Sequence, residues 1–588
     1  MKKIVFVLAV WAMVSTGCKD LIEPAIENNR TLDSAAYVPG DARFPYGILL
    51  NGYNRLPTNG FSFNDVATDD AVSNDKNNNF LKMANGQWTA NNNPIDQWTN
   101  SYAAIQYLNI MLGEIDKVKW TADEKVSKLF ATRFKGEAYG LRALFFFYLL
   151  RSHAGVAEGG QLLGVPLVLD PQGTTSNFNL PRASFEDCMK QIYSDLEKAE
   201  SLLPLDFEDI ANASQIPAKY GSIGREDYNR VFGSAFRGFL TARIAMAIKA
   251  KAALLAASPA YASGNTTTWA NAADNAARVL NLKGGISGLA SNGATWYTNT
   301  AEIDALADGA NPPEILWRTN WGLNRDLEQA NFPPTLFGSG RINPTQNLVD
   351  AFPMANGYPI TDAASGYNAA KPYDNRDPRL KAFVLVNGAT AGPSGTAINT
   401  AADGTTNDAL NKVESSTRTG YYLRKLLRQD VNLNPNSPNN QKHYTPHIRY
   451  TELFLIYAEA ANEAWGPLGT GSNSYSAYDV IKAIRRRAGV GTNGDPYLEA
   501  AAGNKESMRA LIRNERRLEL SFEGFRFWDL RRWKAALNEQ AKGVSIRNNV
   551  PAVIAVEERL FQPFMNYGPI PYGEVLKFSA LEQNSGWR

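Results

Sequence analysis

The chain has 588 residues, with 60 lysines and arginines against 58 aspartates and glutamates and a formal charge of +2. That near-balance excludes the basic surface with which a nucleic-acid binder neutralises phosphates. Two cysteines exclude a disulfide framework, and no G-x-S-x-G, H-E-x-x-H or phosphate-loop motif is present.

At the N-terminus, Lys2-Lys3, an apolar run from Ile4 to Val14 and the small residues Ser15-Thr16-Gly17 precede Cys18. This is the form of a secretory signal, and the run is too short for the roughly 20 residues that cross a bilayer. A cysteine directly after the small residues is similar to the lipobox of bacterial lipoproteins, although Ser15 stands where leucine is usual. On that likeness residues 1–17 are a signal peptide, Cys18 is the lipid attachment point and residues 18–40 are a lipid-anchored tether. Removing residues 1–17 takes Lys2 and Lys3 with it and leaves a formal charge of zero. No later apolar stretch is long enough to cross a membrane, and no Pro/Gly/Ser linker separates two self-contained blocks. Residues 41–588 are therefore expected to form one domain.

Helical stripes come next along the chain. Trp98, Tyr102, Ile105 and Leu112 form one, and Phe134, Ala138, Leu141, Phe145 and Tyr148 another, a helical hairpin. Ser184 caps a helix with the stripe Phe185, Met189, Ile192, Leu196, Ala199 and Leu203, and Cys188 falls among its apolar positions, as a buried thiol would. A helix from about Arg243 to Ala257 stops at Pro259, and another carries Trp269, Ala272, Ala273, Ala276, Val279 and Leu280. Tyr450, Leu453, Phe454, Tyr457, Ala460, Ala461 and Ala464 give the cleanest stripe, ending at Gly466, and Val480, Ile481, Ile484 and Ala488 form the one after it. Paired amphipathic helices with alanines at their contacts predict a mainly α fold, stacked tetratricopeptide-like helical hairpins, without a fixed repeat of 34 residues. Long irregular loop insertions separate them, at residues 41–97, 204–240, 284–447 and 534–588. Loops of that length are commonly functional.

The stretch from Met508 to Trp533, which begins as the last helix of the series, is dense in arginines, aromatics and carboxylates. Met508, Leu511, Ile512, Leu518 and Phe522 share a face in which Glu515 and Glu519 also lie, four residues apart. Two carboxylates at such spacing are either a glycosidase pair or structural, each held by an arginine of a packed neighbour, because an unpaired buried charge is costly. Arginines are plentiful here, and the structural reading is preferred.

The chain resembles the RagB/SusD family of Bacteroidota outer-membrane lipoproteins over nearly its whole length. The likeness rests on Ser15-Thr16-Gly17-Cys18, Arg449-Tyr450-Thr451-Glu452-Leu453 through Tyr457-Ala458-Glu459-Ala460, Arg513 to Trp533, Asn375-Arg376-Asp377-Pro378-Arg379 and Pro569-Ile570-Pro571. Lys19-Asp20 also resembles the signal that sends such lipoproteins to the cell surface. The resemblance implies a non-enzymatic surface protein that captures a glycan, or in some members a peptide, as the lid of a TonB-dependent SusC-like transporter. A purely structural lid is the further alternative, and a glycosidase using Glu515 and Glu519 the least favoured.

A glycan site needs flat aromatic faces with carboxylates and amides beside them. The first loop region offers Asp69, Asp70, Asn74, Asp75, Trp88, Asn91 and Asn92, just before the first clear helix, where family members bind sugar. Trp88 could equally pack on the scaffold. A second set is Trp296, Tyr297 and Trp321. Trp317 ends the short strand-like run Glu314-Ile315-Leu316-Trp317 and Trp321 follows it; the two share parity but would lie apart along a strand, so at least one belongs to the core, and Trp321 is the preferred ligand contact. Asp65, Asp69, Asp70 and Asp75 could hold a structural calcium ion, but they lack the twelve-residue loop pattern and read more simply as a solvated loop. His443 and His447 are four apart, but Pro446 breaks the helix that zinc binding would need.

Overall fold

A computed structural model describes residues 43–57 and 60–587. The expected signal peptide, Cys18 and the tether lie outside the described residues. The longer helices are α1 (Arg43–Asn54), α2 (Trp98–Glu114), α3 (Glu124–His153), α4 (Phe185–Leu202), α5 (Arg225–Phe232), α6 (Ala242–Ala257), α7 (Trp269–Asn281), α8 (Tyr450–Trp465), α9 (Ala477–Arg487), α10 (Lys505–Glu519) and α11 (Arg526–Arg532).

Capping side chains set where most of them start. Asp123, Ser184, Thr241, Thr268, Ser476 and Asn504 each accept a hydrogen bond from a backbone N–H of the first turn, satisfying a donor that has no partner inside the helix. The helices pack in a chain of neighbours: α1 on α2, α2 on α3, α3 on α4, α4 on α6, α6 on α7, α7 on α8, and α8 on both α9 and α10. This is a mainly α stack of tetratricopeptide-like hairpins. Small residues set the helix spacing. A Cβ at Gly140 would collide with the side chain of Leu240, and one at Gly136 with Leu203. One apolar cluster runs through the stack, from Leu49 and Leu108 through Phe145, Leu196, Ile248, Val279 and Leu453 to Ile512.

The insertions are less irregular than the sequence suggests. Residues 41–97 begin with α1, and residues 204–240 contain α5. The long insertion at 284–447 builds a second apolar cluster around Trp296, Tyr297, Ile342, Phe352 and Tyr421, onto which Leu518 and Phe522 also pack. Two stretches of chain run antiparallel across it. Strand β1 (Ile315–Arg318) pairs with β4 (Pro446–Arg449), and β2 (Gly322–Asn324) with β3 (Gln441–His443), His443 opposite Gly322. A last hairpin joins Ala541–Arg547 to Val550–Glu557. Phe522 does not continue the α10 face: it adopts φ 62° after the helix has ended at Glu519. Its N–H donates to Asp65 Oδ1 at 3.1 Å, which ties the turn to the N-terminal loop. No helix among the described residues is long and apolar enough to cross a membrane.

Candidate functional site

A cleft of about 740 Å³ opens over the crossing of the two antiparallel stretches. Its floor is aromatic. Trp296 and Tyr297, both 3% exposed, and Tyr444 form a cluster in which the Trp296 and Tyr444 rings are 5.2 Å apart and tilted by 32°. The hydrogen bond from Thr319 N–H to Thr445 O, 2.9 Å, holds the strands together where they change partners. Trp321 comes two residues later, partly exposed and lining the cleft, with the Lys442 ammonium 4.2 Å from its ring centroid. Lys442 in turn donates to the carbonyl of Asp304 at 2.8 Å. Trp317 is instead core, 2% exposed, its indole N–H donating to Gly238 O at 2.8 Å.

Around this floor stand Asn320 and Asp326, both exposed, Asn324 and Arg341, both partly exposed, and the loop Gly60–Phe63 with Asn78. Two bulky residues of the lining, Phe63 (φ 48°) and Leu426 (φ 73°), sit in the left-handed region, a conformation that costs a non-glycine residue about 1–3 kcal/mol and clusters at binding sites. Four buried polar atoms of the lining have no partner among the described residues: Nε1 of Trp296 and of Trp321, the Tyr444 hydroxyl and Asn331 Oδ1. Each costs about 1–3 kcal/mol while unpaired.

One side of the cleft is tied together by ion pairs. The Arg428 guanidinium bonds Asp304 at 2.8 Å and Asp430 at 2.5 Å, and the Arg428 backbone N–H and His443 Nε2 both meet Glu328 Oε1, at 2.8 and 3.0 Å. Burial works to lower the pKa of His443, but the bond to Glu328 and its charge outweigh burial and raise it.

The first loop region is corrected by the structure. Asp69 and Asp70 are buried, with Arg517 2.7 Å from Asp69 and 2.7 Å from Asp70 Oδ1, and Arg526 2.9 Å from Asp69. At Asp69 burial is outweighed by the two guanidinium charges, and the carboxyl is held well below its usual range. Burial, reinforced by Asp70, pushes Asp65 up to about 7. Carboxylates sealed in this way present nothing to a sugar. Among the described residues no group of three His, Cys, Asp or Glu side chains placed to hold a metal ion is found. Asn74 is buried, its amide donating to Ser339 O and Gly340 O at 3.0 and 2.9 Å. Trp88, 2% exposed, packs against Trp587, Phe527 and Phe561, with ring centroids 4.8, 5.9 and 6.2 Å away. Asp75 accepts from Asn77 N–H at 2.9 Å, while Asn91 and Asn92 are exposed but do not line the cleft. Of the second set, Trp296 and Tyr297 reach the cleft as floor and Trp321 as a partly exposed ring.

Glu515 and Glu519 are fully buried and fully engaged. Glu515 meets Arg379 and Arg485, both at 2.9 Å, and Glu519 meets Arg379 at 3.1 Å, Arg487 at 2.6 Å and Arg449 at 3.4 Å. Burial would raise the Glu519 pKa, but Arg487, Arg449 and Arg379 take it down to about 2. The partners come from neighbouring segments, as the structural reading requires. The arginines nearest in sequence serve elsewhere: Arg516 binds Asp529 at 2.7 Å, and Arg513 lies 4.6 Å from the Trp533 ring centroid.

Two family models cover most of the chain between them. One described as the SusD family matches residues 313–587, and one described as starch-binding associating with outer membrane matches residues 48–225. The chain belongs to the SusD/RagB family. A SusD-like protein of Formosa agariphila, P38, is 22% identical over 556 residues, covering 91% of this chain and 92% of its own. Three solved structures share the fold. A SusD-like protein from Bacteroides fragilis has a TM-score of 0.71 and 22% identity, covering 95% of this chain and 100% of its own. A SusD-like carbohydrate binding protein of the same species has 0.66 and 23%, covering 91% and 98%. A laminarin binding SusD-like protein has 0.57 and 20%, covering 93% and 100%.

In this SusD-family chain, sequence reasoning missed Phe61, Asn320, Asn324, Asp326, Arg341 and Lys442. The available signal was Thr319-Asn320-Trp321-Gly322-Leu323-Asn324-Arg325-Asp326, where amides and a carboxylate surround one tryptophan.

Proposed function

We propose that this chain is a cell-surface lipoprotein that binds an oligosaccharide or polysaccharide in the cleft beside Trp321. It then delivers the glycan to a SusC-like TonB-dependent transporter of the outer membrane. The observation that carries the reading is the cleft itself: a partly exposed tryptophan over an aromatic floor, with Asn320, Asn324, Asp326 and Arg341 around it. Sugar rings present apolar faces to aromatics and hydroxyls to amides and carboxylates, and a glycan or the water it brings can pair polar atoms that the protein leaves unpaired.

The match to a family described as starch-binding associating with outer membrane supports the glycan and the location. Solved relatives titled as carbohydrate binding and laminarin binding support the ligand class. Cys18, after its short apolar run, supplies the lipid anchor. Binding without bond cleavage is the activity. Glycoside hydrolysis needs two carboxyl groups at the sugar, and Asp326 is the one carboxylate among the described lining residues, while Glu515 and Glu519 have arginines on their oxygens.

Affinity electrophoresis of the protein through gels containing a panel of polysaccharides tests the reading. At least one glycan is expected to retard it, and Trp321→Ala is expected to remove the retardation. A folded protein that no glycan retards contradicts the reading. Co-purification with a large barrel protein from detergent-solubilised outer membrane tests the delivery step.

A further inference from the structure

Behind the loop Gly60–Ser62 lies a second, more enclosed space of about 170 Å³. It shares Gly60, Phe61, Ser62 and Thr445 with the glycan cleft, so the two adjoin across that loop. Its lining includes residues of α3, α6 and α8 and of the turn after α10, and carries three cations, Arg151, Lys251 and Arg449, and two carboxylates, Glu452 and Glu523. Both carboxylates are taken. Lys251 lies 2.8 Å from Glu452, and Arg449 lies 2.7 Å from Glu523, which also receives Lys425 at 2.7 Å.

Arg151 has neither an ion pair nor a hydrogen bond among the described residues. Rings hold it instead: its guanidinium lies 4.3 Å from the Trp528 ring centroid, 5.3 Å from that of Tyr148 and 5.6 Å from that of Phe147. Its Nε is enclosed and unbonded. Gln97 Oε1 and Asn64 Oδ1, on other walls of the space, are also enclosed without partners. Burial lowers the pKa of Arg151, yet a guanidinium cannot shed its proton in a protein. The chamber therefore holds a permanent positive charge whose guanidinium has no anion within hydrogen-bond distance among the described residues, Glu452 acting on it only from further away. Cation–π contacts stabilise such a group only partly; a carboxylate or sulfate would bind it through two parallel N–H bonds. The volume suits an acid group and its adjoining carbons, since a liquid water occupies about 30 Å³.

We propose that this chamber receives the oxyanion of an acidic sugar unit, a carboxylate or a sulfate ester, while neighbouring units of the same glycan lie in the cleft, and that Arg151 is its counter-ion. The proposal rests on the glycan reading of the cleft and adds to it the chemical class of the ligand.

Calorimetry on the full-length, detergent-solubilised protein tests it with matched oligosaccharides: neutral, glucuronate-containing and sulfate-bearing. The wild type is expected to prefer one acidic form over the neutral one by at least about tenfold, and which form it prefers separates carboxylate from sulfate. Arg151→Gln, which keeps the stem against Trp528, is expected to erase that preference with neutral binding unchanged, and Arg151→Lys to restore part of it. Neutral and acidic forms bound equally by the wild type, or a preference that survives Arg151→Gln, overturns the proposal and leaves the cleft reading standing. Should no oligosaccharide bind, or should Arg151→Gln fail to fold, crystals of the wild type soaked in selenate decide. An anomalous peak within hydrogen-bond reach of the Arg151 guanidinium supports the chamber as an oxyanion site, and an empty chamber overturns it.

Discussion

The cluster around Glu515 and Glu519 and the cleft beside Trp321 are made of the same kinds of residue, charged groups and aromatics on scaffolding that packs well. They differ in completion. In the cluster, Arg379, Arg449, Arg485 and Arg487 occupy the oxygens of Glu515 and Glu519, and Arg487 Nε is the one buried polar atom of these six side chains left without a partner among the described residues. In the cleft, two indole N–H groups, a phenol and an amide oxygen are left without partners, and two bulky residues hold a left-handed backbone. A density of charged and aromatic residues therefore does not mark a site. Incomplete pairing next to open space does.

The largest effects should come from breaking what is complete. Trp88→Ala removes a ring enclosed by Trp587, Phe527 and Phe561 and is expected to cost about 3–5 kcal/mol. Glu515→Gln leaves Arg379 and Arg485 short of an anion and is expected to cost a similar ~3–5 kcal/mol. Urea unfolding measures both, and in whatever folds, glycan affinity should be unchanged. A stable Glu515→Gln protein that has lost only binding would falsify the structural assignment of the cluster.

Acid should open the same cluster. The folded-state pKa of Glu519 is depressed to about 2 from 4.5, so its contribution to stability is present above pH 4.5 and is lost as the pH falls through about 2. Urea midpoints recorded across that window should fall steeply; a flat profile would mean that the arginines do not hold this carboxylate.

In the cleft the expected effects are on binding. Trp321→Ala should weaken the glycan by about 2 kcal/mol, roughly thirtyfold, with little change in the urea midpoint. The smallest effect concerns His443, which bonds Glu328 and also feels the charge of Arg428. Its folded pKa is raised, so its stabilising bond is fully present below the unfolded value near 6.5 and fades as the pH rises through the folded value. His443→Gln should lower stability in mild acid and lose that effect in alkaline buffer.

The helical half of the fold was legible in the sequence because local rules govern it: period, alanine contacts and a capping serine point to α2 to α4 and α6 to α10, although the stripe Phe134–Tyr148 covers only the middle of α3 and the α10 stripe runs past the helix end to Phe522. The helices α1 and α5 were missed inside segments whose Gly, Asn and Pro content reads as loop. The site was harder. Asp69, Asp70 and Trp88 have the composition of a sugar site, yet Arg517, Arg526 and Trp587, hundreds of residues away, close over them, and no local pattern reveals a partner at that separation. Trp321 was legible because Trp317, four residues earlier, could take the core position. Lys442 and Arg341 reach the cleft only through pairing of distant strands.

The central claim is that the ligand lies beside Trp321 and not along Asp69–Asn92. Calorimetric titration of the glycan retained in the gel assay into wild type, Trp321→Ala and the double variant Asn91→Ala, Asn92→Ala tests it most directly. The account predicts binding lost in Trp321→Ala and unchanged in the double variant, all three unfolding at closely similar urea concentrations; binding kept by Trp321→Ala and lost in the double variant would contradict it.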